Sequence, residues 1–152
     1  MAAEDFMTAC DLEIEYSTDF SAWTEIGSFV GIVTPSQQTR TSGEFFVFNS
    51  DVPLLGMGAR SSVTIDVTFV FTDAAADPFT VMRAQHTTGC GGALYLRWSP
   101  NGGAVGELQF TTKENQSWIS VWQDPGGDKS DGTPINVQFQ VITADVAAAL
   151  VV

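Results

Sequence analysis

Hydrophobic and polar residues alternate with a period of two along much of the chain, which is the pattern of a β-strand with one buried face. The same alternation predicts strands at residues 12–16 and 135–141. The clearest case, at residues 62–72, places an apolar residue at every second position: Val63, Ile65, Val67, Phe69 and Phe71. Five shorter segments are rich in Val, Ile, Phe, Thr and Trp, which favour strands. They predict strands at residues 24–33, 44–48, 93–98, 107–112 and 117–122.

One segment breaks this period and predicts a short helix over residues 77–88. Asp77 is the expected N-cap, and Pro78 suits the first helical position. Gly89 is expected to stop the helix. Many strands with one helix predict a mainly β fold, a β-sandwich or partly open barrel with a flanking helix, in one domain over residues 1–152.

Two connections between the predicted strands are long. Residues 35–43 are polar, whereas residues 49–61 contain glycine and four large apolar residues, Val52, Leu54, Leu55 and Met57. An apolar loop of this kind either folds back on its own core or packs against another chain. The apolar segment 147–152 poses the same choice. Since chain ends are usually disordered unless they are tied down, we expect extended terminal arms held by neighbouring subunits.

Composition and charge narrow the classes of function. The chain has 152 residues, with 18 acidic and 6 basic side chains and a net charge of −12. This balance argues against binding DNA or an anionic membrane through a broad basic surface. Glu4 and Asp5 stand where a signal peptide needs a basic region. No run approaches the roughly 18 apolar residues of a membrane span. We therefore expect neither secretion nor membrane insertion.

The sequence offers little catalytic or metal-binding chemistry. His86 is the only histidine, and no nucleophile motif accompanies it. Cys10 and Cys90 are too few for a disulfide framework or a four-cysteine metal site, so free thiols are expected. The acidic residues between positions 124 and 131 do not have the spacing of a calcium-binding loop. These observations predict a protein that is not an enzyme and has no cofactor.

Carboxylates and tryptophans leave two further hypotheses open. A glycosidase needs a pair of carboxylates, for which Asp66 and Glu107 are candidates, although solvated strand faces explain both residues better. Trp98, Trp118 and Trp122 would bind sugars if they were exposed in a row, as in a β-sandwich carbohydrate-binding module. On alternating strands, tryptophans are more often core or interface anchors. The carbohydrate-binding module therefore remains an alternative, and a small β-sandwich hydrolase ranks last.

A series of short motifs follows a recognisable order along most of the chain. The motifs are WTEIG at 23–27, SGE at 42–44, FVFT at 69–72 followed by DPF at 77–79, LYLRWSPNGG at 94–103, FTT at 110–112 and PINVQFQV at 134–141. In this order and over this length they resemble the major tail tube protein of long-tailed, non-contractile bacteriophages. Each motif is a turn or strand signal that other β-sandwiches share.

The resemblance implies a self-assembling structural protein of the virion. In that family, hexameric rings stack into a tube, and strands from all the subunits form an inner β-barrel around a lumen. A long loop and the terminal arms reach neighbouring subunits. The implied partners are further copies of the chain, the tape measure and tail terminator proteins, and double-stranded DNA that passes without specific binding. The implied location is the phage tail, assembled in the host cytoplasm, with no membrane contact, catalytic residue or cofactor.

The resemblance and the residue pattern together give candidate residues for assembly. The expected subunit contacts are Arg40, Val52, Leu54, Leu55, Met57, Arg60, Leu150, Val151 and Val152. The expected lumen-facing residues are Thr64, Asp66 and Thr68. An acidic wall would repel DNA phosphates and prevent adhesion during transit. Among virion proteins, a capsid decoration or head-completion protein is the alternative.

Overall fold

The fold is taken from a computed structural model that describes residues 9–152. Within that range the structure is mainly β with one α-helix, which confirms the predicted fold class. The elements are β1 (Glu13–Ser17), β2 (Thr24–Glu25), β3 (Val30–Pro35), β4 (Arg40–Phe45), β5 (Leu54–Arg60), β6 (Val63–Val70), α1 (Ala76–Thr87), β7 (Tyr95–Ser99), β8 (Leu108–Thr112), β9 (Ser117–Gly126), β10 (Asn136–Thr143) and β11 (Val146–Leu150).

The strands form two larger antiparallel sheets and a separate hairpin. Sheet A has five strands in the order β11-β8-β7-β1-β2, and sheet B has four in the order β3-β6-β10-β9. Strands β4 and β5 pair with each other as a two-stranded sheet. The hydrophobic core lies between sheets A and B, because its buried cluster draws residues such as Ile14 and Leu96 from the first and Ile65 and Phe139 from the second.

Strands β6 and β10 lie at the centre of sheet B, and their alternating pattern places one face of each strand in the core. Residues of β6 alternate between buried and exposed positions along the whole strand. Phe69 and Phe139 are almost fully buried, and their ring centroids are 6.1 Å apart. Edge-to-face aromatic contacts of this kind add to the free energy gained by burial. Phe71, predicted to share the buried face, lies beyond the end of β6 and is 39% exposed.

Helix α1 covers one side of the sandwich, next to β9. Met82 is fully buried, and Phe79 packs against Trp122 with ring centroids 5.4 Å apart. The predicted cap was wrong: a 3₁₀ turn precedes the helix, and Asp77 lies inside the first helical turn rather than at the N-cap. The predicted stop is confirmed, since Gly89 follows the C-cap with a φ of +44°, which favours glycine.

The predicted strand at residues 24–33 is two strands in different sheets. Ile26 stays paired to sheet A through its N–H, which donates to the Ile14 carbonyl at 3.0 Å. The chain then turns, because the N–H of Val30 donates back to the Ile26 carbonyl at 3.2 Å. Ile26 is fully buried at this crossing between the sheets. The sequence does not reveal such a crossing, because the residues before and after it are equally typical of a strand.

The carboxyl-terminal segment is not an arm, so that prediction was wrong. Strand β11 pairs with β8 of its own chain from Val146 to Leu150. The pairing continues because the N–H of Val151 donates to the Glu107 carbonyl at 2.9 Å. Backbone groups of this segment are therefore satisfied within the subunit, and only its outer edge remains open. The predicted amino-terminal arm falls mostly outside the described residues and stays a prediction.

Candidate assembly surfaces

The two long connections form a hairpin that projects from the sandwich. Every residue of β4 and all of β5 except Gly58 are exposed. The predicted strand at 44–48 is displaced to Arg40–Phe45, and most of the expected loop at 49–61 is strand β5. Since the hairpin leaves its side chains in solvent, the apolar residues do not fold back on their own core.

The register of the hairpin places apolar side chains on both of its faces. Phe45 is directly opposite Leu54, and Glu44 is directly opposite Leu55. Residues directly opposite each other share a face, and successive pairs alternate between faces. Phe45 and Leu54 therefore lie on one face, while Leu55 and Met57 lie on the other. A hairpin that used one face for its own core would show polar residues on the opposite face.

We use the term hairpin surface for the exposed large apolar residues of this element. They are Phe45, Phe46, Val47, Phe48, Val52, Leu54, Leu55 and Met57, each between 41% and 109% exposed. Full burial of one such side chain is worth about 1.5–3 kcal/mol, so leaving all of them in water is costly. Contiguous apolar patches larger than a few hundred Å² mark interaction sites. The hairpin surface is therefore a candidate contact with another protein.

Both arginines predicted at subunit contacts bind groups of their own chain. Arg60 forms an ion pair with Asp145, with Nη2 2.8 Å from Oδ2. Arg40 donates from Nη1 to the Gly58 carbonyl at 3.0 Å. The carboxylate expected from a neighbouring subunit is thus supplied to Arg60 by the β10–β11 turn of the same chain.

A second exposed apolar group, which we call the edge surface, lies at the outer strand of sheet A. Leu108 and Leu150 are directly opposite each other and are 43% and 62% exposed. Val105 and Val152 extend the group, with exposures of 81% and 108%. Val151 is half-buried. An open strand edge beside apolar side chains is a ready site for pairing with another chain.

The three predicted lumen-facing residues share the outer face of sheet B. Thr64, Asp66 and Thr68 alternate along β6 with fully or nearly fully buried residues. The Asp66 carboxylate accepts a hydrogen bond from the Gln140 side chain at 2.9 Å. Gln140 in turn accepts one from the Ser120 hydroxyl at 3.1 Å. The structure thus brings the three candidates together on one face, beside a chain of polar side-chain hydrogen bonds.

This outer face carries little charge, so it is not the acidic wall that the sequence predicts for a lumen. Its strands carry two carboxylates, and one of them, Asp124, binds Arg83 of α1 at 2.8 Å instead of facing outward. The charged residue that remains on the face is Asp66. The outward positions are Ile32, Thr34, Thr64, Asp66, Thr68, Val70, Trp118, Ser120, Val121, Gln123, Asn136, Gln138, Gln140 and Ile142. Most of the negative charge therefore lies on other parts of the molecule.

The tryptophans do not form the row that a sugar platform requires. Trp98 is buried and stacks on Phe110. Trp122 is half-buried, and its Nε1 donates to Asp124 at 2.8 Å. Trp118 is 42% exposed and stands without either of the others beside it in solvent. The structure thus uses the first two rings as core, which weakens the carbohydrate-binding alternative.

The candidate carboxylate pair is also separated by the fold. Glu107 lies beside β8 of sheet A, where it accepts a hydrogen bond from Asn101 at 2.8 Å. Asp66 lies on the outer face of sheet B. Two carboxylates on different sheets, each bound to a neutral amide, do not flank a common cleft, so the glycosidase arrangement is not formed.

The remaining candidate groups have local structural roles. Asp128 and Asp131 bind Ser130 and Thr133 of their own loop, and these hydrogen bonds lower the pKa of both carboxyls. Cys10 and Cys90 are exposed free thiols. Over residues 9–152, no three His, Cys, Asp or Glu side chains cluster as metal ligands would. No helix in that range is long and apolar enough to cross a membrane.

Comparison with known proteins relates the fold to tail and tube assemblies. No protein-family model matches the chain, and no curated protein matches its sequence. A chain of the sheath–tube complex of the PVC extracellular contractile injection system, in the extended state, matches with a TM-score of 0.74, 9% identity and coverage of 98% of this chain and 95% of that one. A chain of the six-fold symmetrised anti-feeding prophage baseplate matches with a TM-score of 0.72, 10% identity and 99% coverage of both chains.

A third solved structure comes from a different kind of particle. A chain of the tail of an empty GTA particle, refined helically with C6 symmetry, matches with a TM-score of 0.62 and 15% identity. The match covers 97% of this chain and 100% of that one. The chain therefore has, over nearly its whole length, a fold found in tail, tube and baseplate assemblies of phage-like particles.

Proposed function

We propose that this chain is the structural subunit of a phage tail tube of the long-tailed, non-contractile kind, and that it assembles into stacked rings through which a genome passes. The observation that carries the proposal is the hairpin surface, which exposes apolar side chains on both faces beside a sandwich that already has its own core. The shared fold supports the tube, and the motif order of the sequence supports the non-contractile kind.

A head-to-tail contact through the hairpin would build rings. In this proposal the hairpin surface of one subunit meets a different surface on the next copy. Such head-to-tail contacts close into rings when the rotation allows it and otherwise give helices. Six-fold or C6 symmetry in two of the matched assemblies supports a hexameric ring.

Sheet B is the part of the subunit that we assign to the lumen. Its edge strand β3 has one open side, and β9 is open beyond Trp118, where Ala93 forms an isolated bridge. A neighbouring sheet can pair with these open edges, which would close the sheet across subunits. Its outer face presents Thr64, Asp66 and Thr68 without a cation to bind phosphates. Double-stranded DNA would therefore pass without adhesion. In this proposal the partners are copies of the chain together with tape measure and tail terminator proteins, the location is the virion tail, and there is no catalysis.

Electron microscopy of the purified protein tests the proposal directly. We expect hollow tubes with a regular ring repeat. Leu55→Asp should prevent tube growth while circular dichroism stays unchanged, because it places a charge in the contact without touching the core. Val81→Asp is the matched control, since Val81 is also an exposed apolar residue (41%) but lies on α1.

Three results would contradict this proposal in whole or in part. Monomers that persist at high concentration would reject self-assembly. Tubes that form equally well with Leu55→Asp would show that the hairpin surface is not the contact. Closed shells or binding to preformed capsids would favour the capsid decoration or head-completion alternative instead.

A further inference from the structure

The hairpin is joined to the sandwich by two short polar segments, residues 36–39 after β3 and residues 61–62 before β6. They are linked to each other because the N–H of Ser61 donates to the Thr39 carbonyl at 2.7 Å. The N–H of Thr39 donates to the Ser61 hydroxyl at 3.0 Å. The first segment is tied to β6 at Ser36, whose N–H donates to the Thr64 carbonyl at 2.7 Å. Beyond Ser36, β4 and β5 pair with no other strand, so these segments by themselves leave the angle between hairpin and sandwich weakly defined.

A single carboxylate binds Gln38 of the first segment and Arg60, the last residue of β5, to the body of the protein. Asp145 lies in the turn between β10 and β11, where the chain passes from sheet B to sheet A. Its two oxygens accept from both terminal nitrogens of Arg60, at 2.8 Å and 3.3 Å. Its Oδ1 also accepts from the Gln38 amide at 3.3 Å, and the same amide donates to the Ser61 carbonyl at 2.9 Å.

Asp145 is itself held in place. Its Oδ1 accepts from the N–H of Val146 at 2.9 Å, and its carbonyl accepts from the Thr143 hydroxyl at 2.9 Å. The Val146 hydrogen bond, with those from Gln38 and Arg60, holds the pKa of the Asp145 carboxyl below its usual range, so the group is charged at neutral pH. A two-point contact between guanidinium and carboxylate fixes an angle as well as a distance.

We propose that Asp145 is a positioning residue that sets the angle at which the hairpin leaves the sandwich. By fixing that angle, it directs the hairpin surface toward one contact on the neighbouring subunit. The consequence for assembly rests on the proposed function, whereas the effect on the angle is a property of the single subunit. Surface ion pairs add little to the free energy of unfolding, so loss of the contact should change orientation without unfolding the domain.

Electron spin resonance distances between the hairpin and sheet B test the angle. In the full chain with Cys10→Ser and Cys90→Ser, spin labels at Asn49→Cys and Gln138→Cys report the distance, and dilution into unlabelled protein isolates pairs within one subunit. The labelled protein should show one narrow distance. Asp145→Asn and Arg60→Gln should each replace this narrow distance by a broad distribution of distances. The exchanged pair, Asp145→Arg with Arg60→Asp, should recover the narrow distance.

Asp124→Asn is the matched control, because it breaks an ion pair of the same length, 2.8 Å, between α1 and β9. It should leave the distance unchanged. The proposal is overturned if Asp145→Asn keeps the narrow distance, or if the distribution is already broad before substitution. A lost distance in Asp145→Asn, in a protein that never forms tubes, would uphold the positioning role and reject the proposed function. If the protein forms tubes and Asp145→Asn leaves the distance unchanged, the proposed function is upheld and the positioning role is rejected.

Discussion

The sandwich and the hairpin solve the same problem, the burial of apolar side chains, in opposite ways. In the sandwich, alternating residues meet across two sheets, so that Phe69, Val137 and Phe139 are nearly inaccessible to water. In the hairpin, Phe45 and Leu55 lie on opposite faces and both remain exposed. A two-stranded hairpin is marginally stable in water, because it has no second layer on which to pack. The first region thus buries its core within one chain, whereas the second leaves its apolar side chains open to a partner.

The largest effect on folding should come from the sandwich. Phe139→Ala removes a buried ring that packs on Phe69 and Trp122, and such truncations cost about 3–5 kcal/mol. Chemical denaturation monitored by circular dichroism measures the loss. A cost below about 1 kcal/mol would mean that the site collapses around the missing ring and that the two sheets are less tightly packed than described.

Acid should affect the base of the hairpin before it affects the centre of the sandwich. The pKa of Asp145 is lowered in the folded protein, so its stabilising contacts are fully present above the ordinary aspartate pKa and are lost as the pH falls through the lower folded value. The charged groups around it are Arg60, with which it pairs, and Lys113 and Glu114, which line the same surface depression.

Amide hydrogen exchange at neutral and acidic pH, corrected for the intrinsic rates, measures this loss. Protection of Ser61 and Thr39 should fall in acid while that of the β6 and β10 amides persists. In Asp145→Asn, protection of Ser61 and Thr39 should already be low at neutral pH. Equal loss of protection in both regions would mean that acid unfolds the whole domain at once.

The smallest effect on folding should come from the tip of the hairpin. Phe48 is fully exposed, so Phe48→Ala should change the free energy of unfolding by no more than about 0.5 kcal/mol. The same substitution should slow assembly, as measured by light scattering. A large loss of stability in single subunits would mean that the tip packs on its own chain.

The sequence predicts the sandwich better than the hairpin for a physical reason. Alternation marks a strand with one buried face, so β6 and β10, and the shared face of Thr64, Asp66 and Thr68, follow from the pattern. The hairpin strands have apolar residues on both faces, with Gly43 directly opposite Gly56, so no alternation appears.

Other features depend on contacts that are distant in sequence. Arg60 and Asp145 are 85 positions apart, and nothing near either residue indicates the partner. Strand β11 is rich in alanine, which strands disfavour, and it forms because β8 offers an open edge. Burial of Trp98 and Trp122 likewise depends on which face of its sheet each ring occupies. The positions of the turns in the sequence do not determine that face.

The isolated carboxylate on the outer face of sheet B has a further consequence for a tube built from this subunit. Each ring would repeat Asp66 at a single height, so the channel would carry thin negative bands separated by neutral bands of uncharged side chains, both polar and apolar. Over a Debye length of about 8 Å in physiological salt, each band would act nearly alone. A passing polyanion would then meet many small, regularly spaced barriers instead of one continuous repulsive field.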